Sequence, residues 1–150
     1  MRIDELFQKY YRYSRLDDDH YMFDTDQGLR YLVGFAELNI PVDWQNRKVI
    51  ATGFVIVKGD DDVSDLIQHT GDAFTVFSTV GEIIREYMSK THYEYFAVGG
   101  NISEPSRLKL YETFIKFLPK FLPGWEYHSS SNTIVENSKV WIFKRKGSKS

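Results

Sequence analysis

The chain contains no cysteine, which excludes disulfide bonds and thiolate metal sites. No apolar run approaches the roughly 20 residues of a membrane-spanning helix, and the N-terminus is too polar for a signal peptide. The net charge of -2 argues against bulk electrostatic capture of nucleic acid. We therefore expect a cytoplasmic protein with neither a membrane partner nor a nucleic-acid partner.

Metal-binding and nucleophile motifs are also missing. None of the four histidines is paired with another at i+4, and the acidic runs 17–19 and 60–62 lack the spacing of a calcium-binding loop. We expect no metal site and interpret both acidic runs as solvated turns. No Gly-x-Ser-x-Gly motif and no Walker loop occurs.

What the chain has is periodic apolar spacing over 150 residues, enough for one domain with a substantial core. The patterns predict a helix, three antiparallel strands, a weak strand at 63–67, a helix, a strand, a helix and two strands. In one of the antiparallel strands, Tyr31, Val33 and Phe35 alternate on one face. Each strand–helix–strand crossover implies parallel neighbours in the second half of the sheet. Pro41 predicts a connection around 40–48, because it lacks the amide that a central strand needs. The expected class is α/β (α+β): a mixed sheet of about six to seven strands with flanking helices. Residues 1–19 are expected to form an N-terminal helix (2–14) and turn, and 146–150 a loose basic tail.

Two helices carry the clearest apolar stripes, at 75–90 and 104–118. They flank a strand predicted at 93–98. The first stripe comprises Val76, Phe77, Val80, Ile83, Ile84, Tyr87 and Met88. The second comprises Leu108, Tyr111, Phe114, Ile115 and Leu118.

A polar turn, Gln68-His69-Thr70-Gly71-Asp72-Ala73, leads into the first of these helices. A helix N-terminus presents unpaired amides and attracts anions, and a glycine lets the backbone approach a phosphate. Asp72 offers another interpretation, because its carboxylate can cap the helix and would repel a pyrophosphate. The residues alone leave both open.

The order of elements and this turn resemble the GNAT acyltransferase superfamily. That fold has an antiparallel first half and a β-α-β-α-β second half, and its pyrophosphate loop reads Gln/Arg-x-x-Gly-x-Gly/Ala. The resemblance implies an acetyl-CoA or other acyl-CoA cofactor held by Gln68, Thr70, Gly71, Asp72, Ala73 and Phe74, with Ser106 and Arg107 nearby. The thioester would lie in a splay between strands 63–67 and 93–98.

The family's Asn-x-x-Ala-x-x-x-Tyr motif suggests the catalytic residues. Tyr111 stands at the tyrosine position and would be the general acid for the leaving thiolate, while Glu104 can serve as a general base. The chain departs from the motif with Glu104 at the Asn place and Arg107 at the Ala place. Each residue also has a structural interpretation: Tyr111 as core, Glu104 as a favourable charge at a helix start, and Arg107 as an exposed side chain.

The stretches "TGDAFTVFSTV" and "SEPSRLKLY" also resemble a group of small tailed-phage proteins with a GNAT-like core. Two functions follow as expectations. One is a CoA-dependent N-acyltransferase acting on a small amine acceptor. The alternative is a degenerate, non-catalytic GNAT-like phage protein that binds a protein partner, in the virion or in the host cytoplasm.

Overall fold

The computed structural model describes residues 10–26, 28–57, 73–101, 105–134 and 137–147, with the backbone alone at 73 and 105–107. Within these residues, seven strands form one mixed sheet that carries two helices, so the expected class is confirmed. The strands are β1 (Tyr13–Asp17), β2 (His20–Asp24), β3 (Arg30–Val42), β4 (Gln45–Ile56), β5 (Tyr95–Asn101), β6 (Trp125–Ser131) and β7 (Ser138–Arg145). The helices are α1 (Ala73–Met88) and α2 (Pro105–Phe117), and a 3-10 turn, Leu118–Lys120, follows α2.

The strand order across the sheet is β1-β2-β3-β4-β5-β7-β6. Neighbours are antiparallel except β4 and β5, which run parallel around the crossover that contains α1. The two predicted strand–helix–strand crossovers imply parallel neighbours in the second half of the sheet. β5 has one parallel neighbour, β4, whereas its other neighbour, β7, is antiparallel. β7 turns back from β6 and pairs along the whole of β5, so that β6 runs parallel to β5 but is separated from it.

Two local predictions were wrong. Tyr13 and Ser14, expected to end a helix, lie in β1, because they pair with Phe23 and Met22 of β2. Residues 2–9 of that expected helix lie outside the described residues. Pro41, expected in a connection, lies inside β3 opposite Asn46.

The hairpin geometry explains why β3 tolerates the proline. Val42 and Gln45 close a two-residue turn, so the next pair has its amides directed away from the partner strand. β2 pairs with β3 only as far as Gly34, so the missing amide faces an edge with no strand in the described residues.

Both helices pack on one face of the sheet, which we call the helix face. Tyr31, Val33 and Phe35 point to this face, as their alternation predicted. The predicted stripes are confirmed: apart from the partly buried Tyr87 and Leu108, their residues are buried. Phe114 of α2 contacts Phe77 of α1 (5.0 Å between ring centroids), which joins the helices in one core.

The opposite face, the far face, carries a smaller core. It consists of Ile40, Val42, Val49, Tyr95, Ala97, Val140 and Ile142. The tip of the β3–β4 hairpin reaches β6, where Asp43 Oδ2 lies 3.0 Å from His128 Nε2. The hairpin therefore folds over the far face of β5 and β7. Asp43 and Trp44 form its turn with φ values of 51° and 69°, and Trp44 is fully exposed.

Candidate active site

β4 and β5 are joined by a short seam, which we define as the pairing of Ile50–Thr52 with Phe96–Val98. β4 continues to Ile56 and β5 to Asn101, with no pairing between these ends in the described residues. The two strands thus part at their carboxyl ends, which is where sheets with α/β crossovers bind ligands.

The resemblance predicts that β5 separates from strand 63–67, whereas in the structure β5 separates from β4. Over Phe96–Val98, β5 is paired with β4 on one side and with β7 on the other. The strand that parts from β5 is therefore β4, because these residues leave no free side for another strand. The predicted strand 63–67 lies outside the described residues.

Glycines line the far face where the strands part. Gly34 of β3 is paired with Gly53 of β4, and a methyl group added at Gly53 would lie 3.8 Å from the carbonyl oxygen of Gly99 on β5. A methyl group added at Gly99 would meet nothing described within 4 Å. The far face therefore has three neighbouring positions without a side chain, at Gly34, Gly53 and Gly99, and all three are partly accessible.

Tyr111 lies on the helix face of the same region. Its side chain is fully buried, stacked on Trp141 with 5.5 Å between ring centroids and tilted against Phe54. A methyl group added at Gly100 would overlap Cζ, Cε1 and Cε2 of the Tyr111 ring, so the phenol end lies directly on β5 just beyond the seam. The core interpretation of Tyr111 is confirmed, and its predicted role as an acid stays a prediction.

The other predicted site residues fall around the two helix starts. α1 begins at Ala73, and Phe74 in its first turn packs, partly buried, on the main core. Pro105 is the first residue of α2, so Ser106 and Arg107 lie in its first turn; their side chains are not among those described. Gln68, Thr70, Gly71 and Asp72 lie outside the described residues, as does Glu104.

Chain direction brings the start of α1 to the open end of the seam. α1 ends at Met88, shortly before β5 begins, so it runs back along the sheet against the direction of β5. Its first turn therefore lies toward the carboxyl ends of β4 and β5. α2 begins shortly after β5, at the same end of the sheet.

A histidine–carboxylate pair that sequence reasoning missed lies on the far face. His20 Nδ1 is 2.8 Å and 3.1 Å from the two carboxylate oxygens of Asp17, and its ring packs on Gly34. The Asp19 amide donates to Asp17, and this bond, followed by that from His20, lowers the pKa of Asp17. The sequence carries a signal for this pair, because Asp17 and His20 lie on either side of a two-residue turn, but the acidic run 17–19 fits a solvated turn equally well.

Near the C-terminal end of α1, two tyrosine hydroxyls donate hydrogen bonds to carboxylates. The Tyr13 hydroxyl donates to Glu86 Oε1 (3.2 Å), and that of Tyr87 donates to Asp19 Oδ1 (2.9 Å). Burial, and then the negative charge of Glu86, raises the pKa of Tyr13 to about 12. Burial and the bond to Asp19 raise the pKa of Tyr87. These hydroxyls are therefore held as neutral donors.

Two surface grooves are separate from the glycine-lined region. One, of about 340 Å³, lies between α2 and the β6–β7 pair and includes Tyr127 and Trp141. The other, of about 470 Å³, is lined by Lys48, His92, Tyr93 and Glu94 near the start of β5. In the described part of the chain, no group of three or more His, Asp or Glu side chains can hold a metal ion. None of the described helices is long and apolar enough to cross a bilayer.

No family model, curated protein or solved structure matches this chain. The seam and the residues around it are therefore the features that indicate a site.

Proposed function

We propose that the chain is a GNAT-like N-acyltransferase that transfers an acyl group from acyl-CoA to a primary amine. The observation that carries the proposal is the seam. β4 and β5 part beside a glycine-lined face, and the phenol end of Tyr111 lies at the point where they part. An opening in the sheet next to a buried proton donor is what a thioester needs in order to react away from bulk water.

The architecture supports the GNAT resemblance. An antiparallel first half, β1 to β4, precedes a crossover through α1 to the parallel strand β5 and a second crossover through α2. That order is the one that the resemblance implies for the family.

Each part of the cofactor has a place in this proposal. The pyrophosphate binds the amides at the start of α1, and the acyl thioester lies between the parted ends of β4 and β5. Tyr111 donates its phenolic proton to the departing thiolate. This general acid contribution is worth roughly 10²–10⁴ in rate.

Acetyl-CoA binding tests the proposal directly. At 100 times its Kd, a ligand that binds only the folded state stabilises it by about 2.7 kcal/mol. For a domain of this size, that corresponds to a rise in Tm of about 5–10 °C. ATP, which lacks the pantetheine arm and the thioester, serves as the control. An unchanged Tm at millimolar acetyl-CoA would contradict the proposal.

A second function is favoured by Trp44. Its side chain is fully exposed at a turn whose backbone has positive φ, a conformation that costs a bulky residue energy. Tryptophan is a frequent anchor of protein interfaces. A degenerate GNAT-like phage protein that binds a protein partner through the hairpin tip would have this feature. Absence of any acetyl-CoA effect, together with a purified virion or host protein that binds the parent but not Trp44→Ala, would support this alternative.

A further inference from the structure

His20 is oriented across the sheet toward β4. Its Nδ1 faces Asp17, which lies on β1, the outer neighbour of β2. Its Cδ2 and Nε2 atoms lie over Gly34 of β3, at 3.4 Å and 3.6 Å from the position of an added methyl group. The second ring nitrogen therefore lies on the side away from Asp17, toward Gly53.

A continuous row of glycines leads from this nitrogen to the seam. His20 is opposite Gly34, Gly34 is opposite Gly53, and Gly99 lies next to Gly53 across the opening. Neighbouring strands are about 4.8 Å apart, so a molecule lying over Gly34 and Gly53 reaches both the imidazole and the seam. The His20 side chain is 46% exposed, which leaves it accessible to such a molecule.

The Asp17 carboxylate determines which ring nitrogen of His20 carries the proton. Asp17 accepts the Asp19 amide and remains an anion that binds the Nδ1 proton of His20. A neutral imidazole held in this way has its lone pair on Nε2, the arrangement of a general base. The same carboxylate stabilises the imidazolium that forms when Nε2 takes up a proton.

We propose that His20 is the general base of the acyl transfer and that Asp17 is its positioning residue. This inference rests on the proposed function, because it names the group that receives a proton from the acceptor. It also places the acceptor amine on the far face, above Gly34 and Gly53.

Nε2 of His20 takes one proton from the acceptor ammonium, and the freed nitrogen lone pair attacks the thioester carbonyl carbon. The C–S bond then breaks, and sulfur leaves with its electron pair and takes the Tyr111 proton. The second nitrogen proton returns to the Tyr111 oxygen, and the imidazolium loses its proton to solvent. The products are an amide, CoA thiol and one proton.

The acid and the base lie on opposite faces of the sheet. Tyr111 packs on Gly100 from the helix face, and His20 packs on Gly34 from the far face. Donor and acceptor would then enter from different sides and meet only where β4 and β5 part. This separation keeps the acceptor ammonium away from the apolar helix-face core.

Rescue of a variant by free imidazole provides the test, using the full chain, acetyl-CoA and a set of primary amines (methylamine, putrescine and lysine amide). Release of CoA thiol is the readout. His20→Ala should lower the rate by about 10²–10⁴ and leave the acetyl-CoA shift in Tm unchanged. Imidazole should restore part of that rate, because the vacated position is open to solvent. Tyr111→Phe, the matched control, should be slow and should not respond to imidazole.

Asp17→Asn tests the positioning role by spectroscopy. In the parent, ¹⁵N NMR of the ring should show His20 protonated at Nδ1 and bare at Nε2, and the variant should lose this preference. An unchanged tautomer would overturn the role of Asp17.

The remaining outcomes separate this inference from the proposed function. If the parent binds no acetyl-CoA and releases no thiol with any amine, the acyltransferase proposal fails and the role of His20 fails with it. If the parent is active and His20→Ala is equally fast, only the His20 inference is overturned. A slow His20→Ala that imidazole does not rescue also overturns it, because the histidine would then be structural.

Discussion

The phenol ring of Tyr111 lies flat on the backbone of Gly100, with no space for a single methyl group between them. Gly100 is buried, and the Tyr111 ring also packs against Trp141 and Phe54. The ring therefore cannot move away without disturbing the main core. The close contact with Tyr111 therefore requires a residue without a side chain at position 100.

Gly100→Ala should lower the free energy of unfolding by about 1–3 kcal/mol, because an added methyl group overpacks the core against Tyr111. Gly99→Ala is the matched control, since its methyl group, on the far face, meets nothing within 4 Å among the described residues. Urea denaturation of both variants measures the difference. Equal stabilities would show that the contact is loose.

Replacing Tyr111 separates its packing from its chemistry. Tyr111→Phe keeps the ring and should change the free energy of unfolding by about 1 kcal/mol or less, while acyl transfer falls by roughly 10²–10⁴. Tyr111→Ala should cost about 3–5 kcal/mol of stability through the cavity that it leaves. Unfolding curves and thiol-release assays give both quantities. A Phe variant as active as the parent would limit Tyr111 to a core role.

Phe114 tests the junction of the two helices. It lies between Phe77 of α1 and Phe54 of β4, with ring centroids 5.0 Å and 6.1 Å away. Phe114→Ala should destabilise the domain by about 3–5 kcal/mol, whereas the exposed Lys109→Ala should stay within about 0.5 kcal/mol of the parent. Thermal unfolding of the two variants checks the assignment of the buried face of α2. Similar melting of both would mean that α2 is rotated.

Stability should decrease at alkaline pH through Tyr13. Its pKa is raised to about 12 by burial and by Glu86, so folding favours the neutral phenol. That contribution is complete below the ordinary tyrosine pKa of about 10 and is lost as the pH rises to about 12. Tyr13→Phe should reduce the slope of unfolding free energy against pH in this interval. A slope identical to that of the parent would exclude Tyr13 as a source.

The hairpin tip should gain stability from a glycine. Trp44 has φ of 69° and makes no use of its exposed ring for packing, and two-residue turns of this kind favour glycine at the second position. Trp44→Gly should raise the free energy of unfolding by about 1 kcal/mol. Trp44→Ala removes the same ring but keeps the unfavourable φ, so it should give no such gain. Calorimetry of the three proteins measures the order of their Tm values.

The sequence predicted the elements whose signals are local. The stripe from Val76 to Met88 gave a helix within two residues of its observed ends, and the alternation of Tyr31, Val33 and Phe35 gave a strand with the correct buried face. Both depend on a periodicity that a single segment carries by itself.

The errors came from features that depend on distant partners. Tyr13 continues a helical stripe, yet its pairing with Phe23 places it in a strand. Pro41 is tolerated because β2 ends before reaching it, which a local rule cannot detect. The position of β7 beside β5 is likewise set by the whole sheet. For the site, the helical position of Tyr111 predicted only its burial, and its proposed acid role came from the resemblance. His20 could not be selected from the sequence, because only strand pairing aligns it with Gly34, Gly53 and Gly99.

The shortness of the seam has a consequence for how the protein folds. β1 to β4 join by hairpins between neighbouring segments, and β6 and β7 form a hairpin of their own. The pairing of Ile50–Thr52 with Phe96–Val98 instead closes a long loop. Closing that loop costs conformational entropy, and the few residue pairs formed offset this cost only after the loop is closed. We expect the two halves of the sheet to form first and to join late, so that the rate of folding is set by the same strands whose separation opens the site.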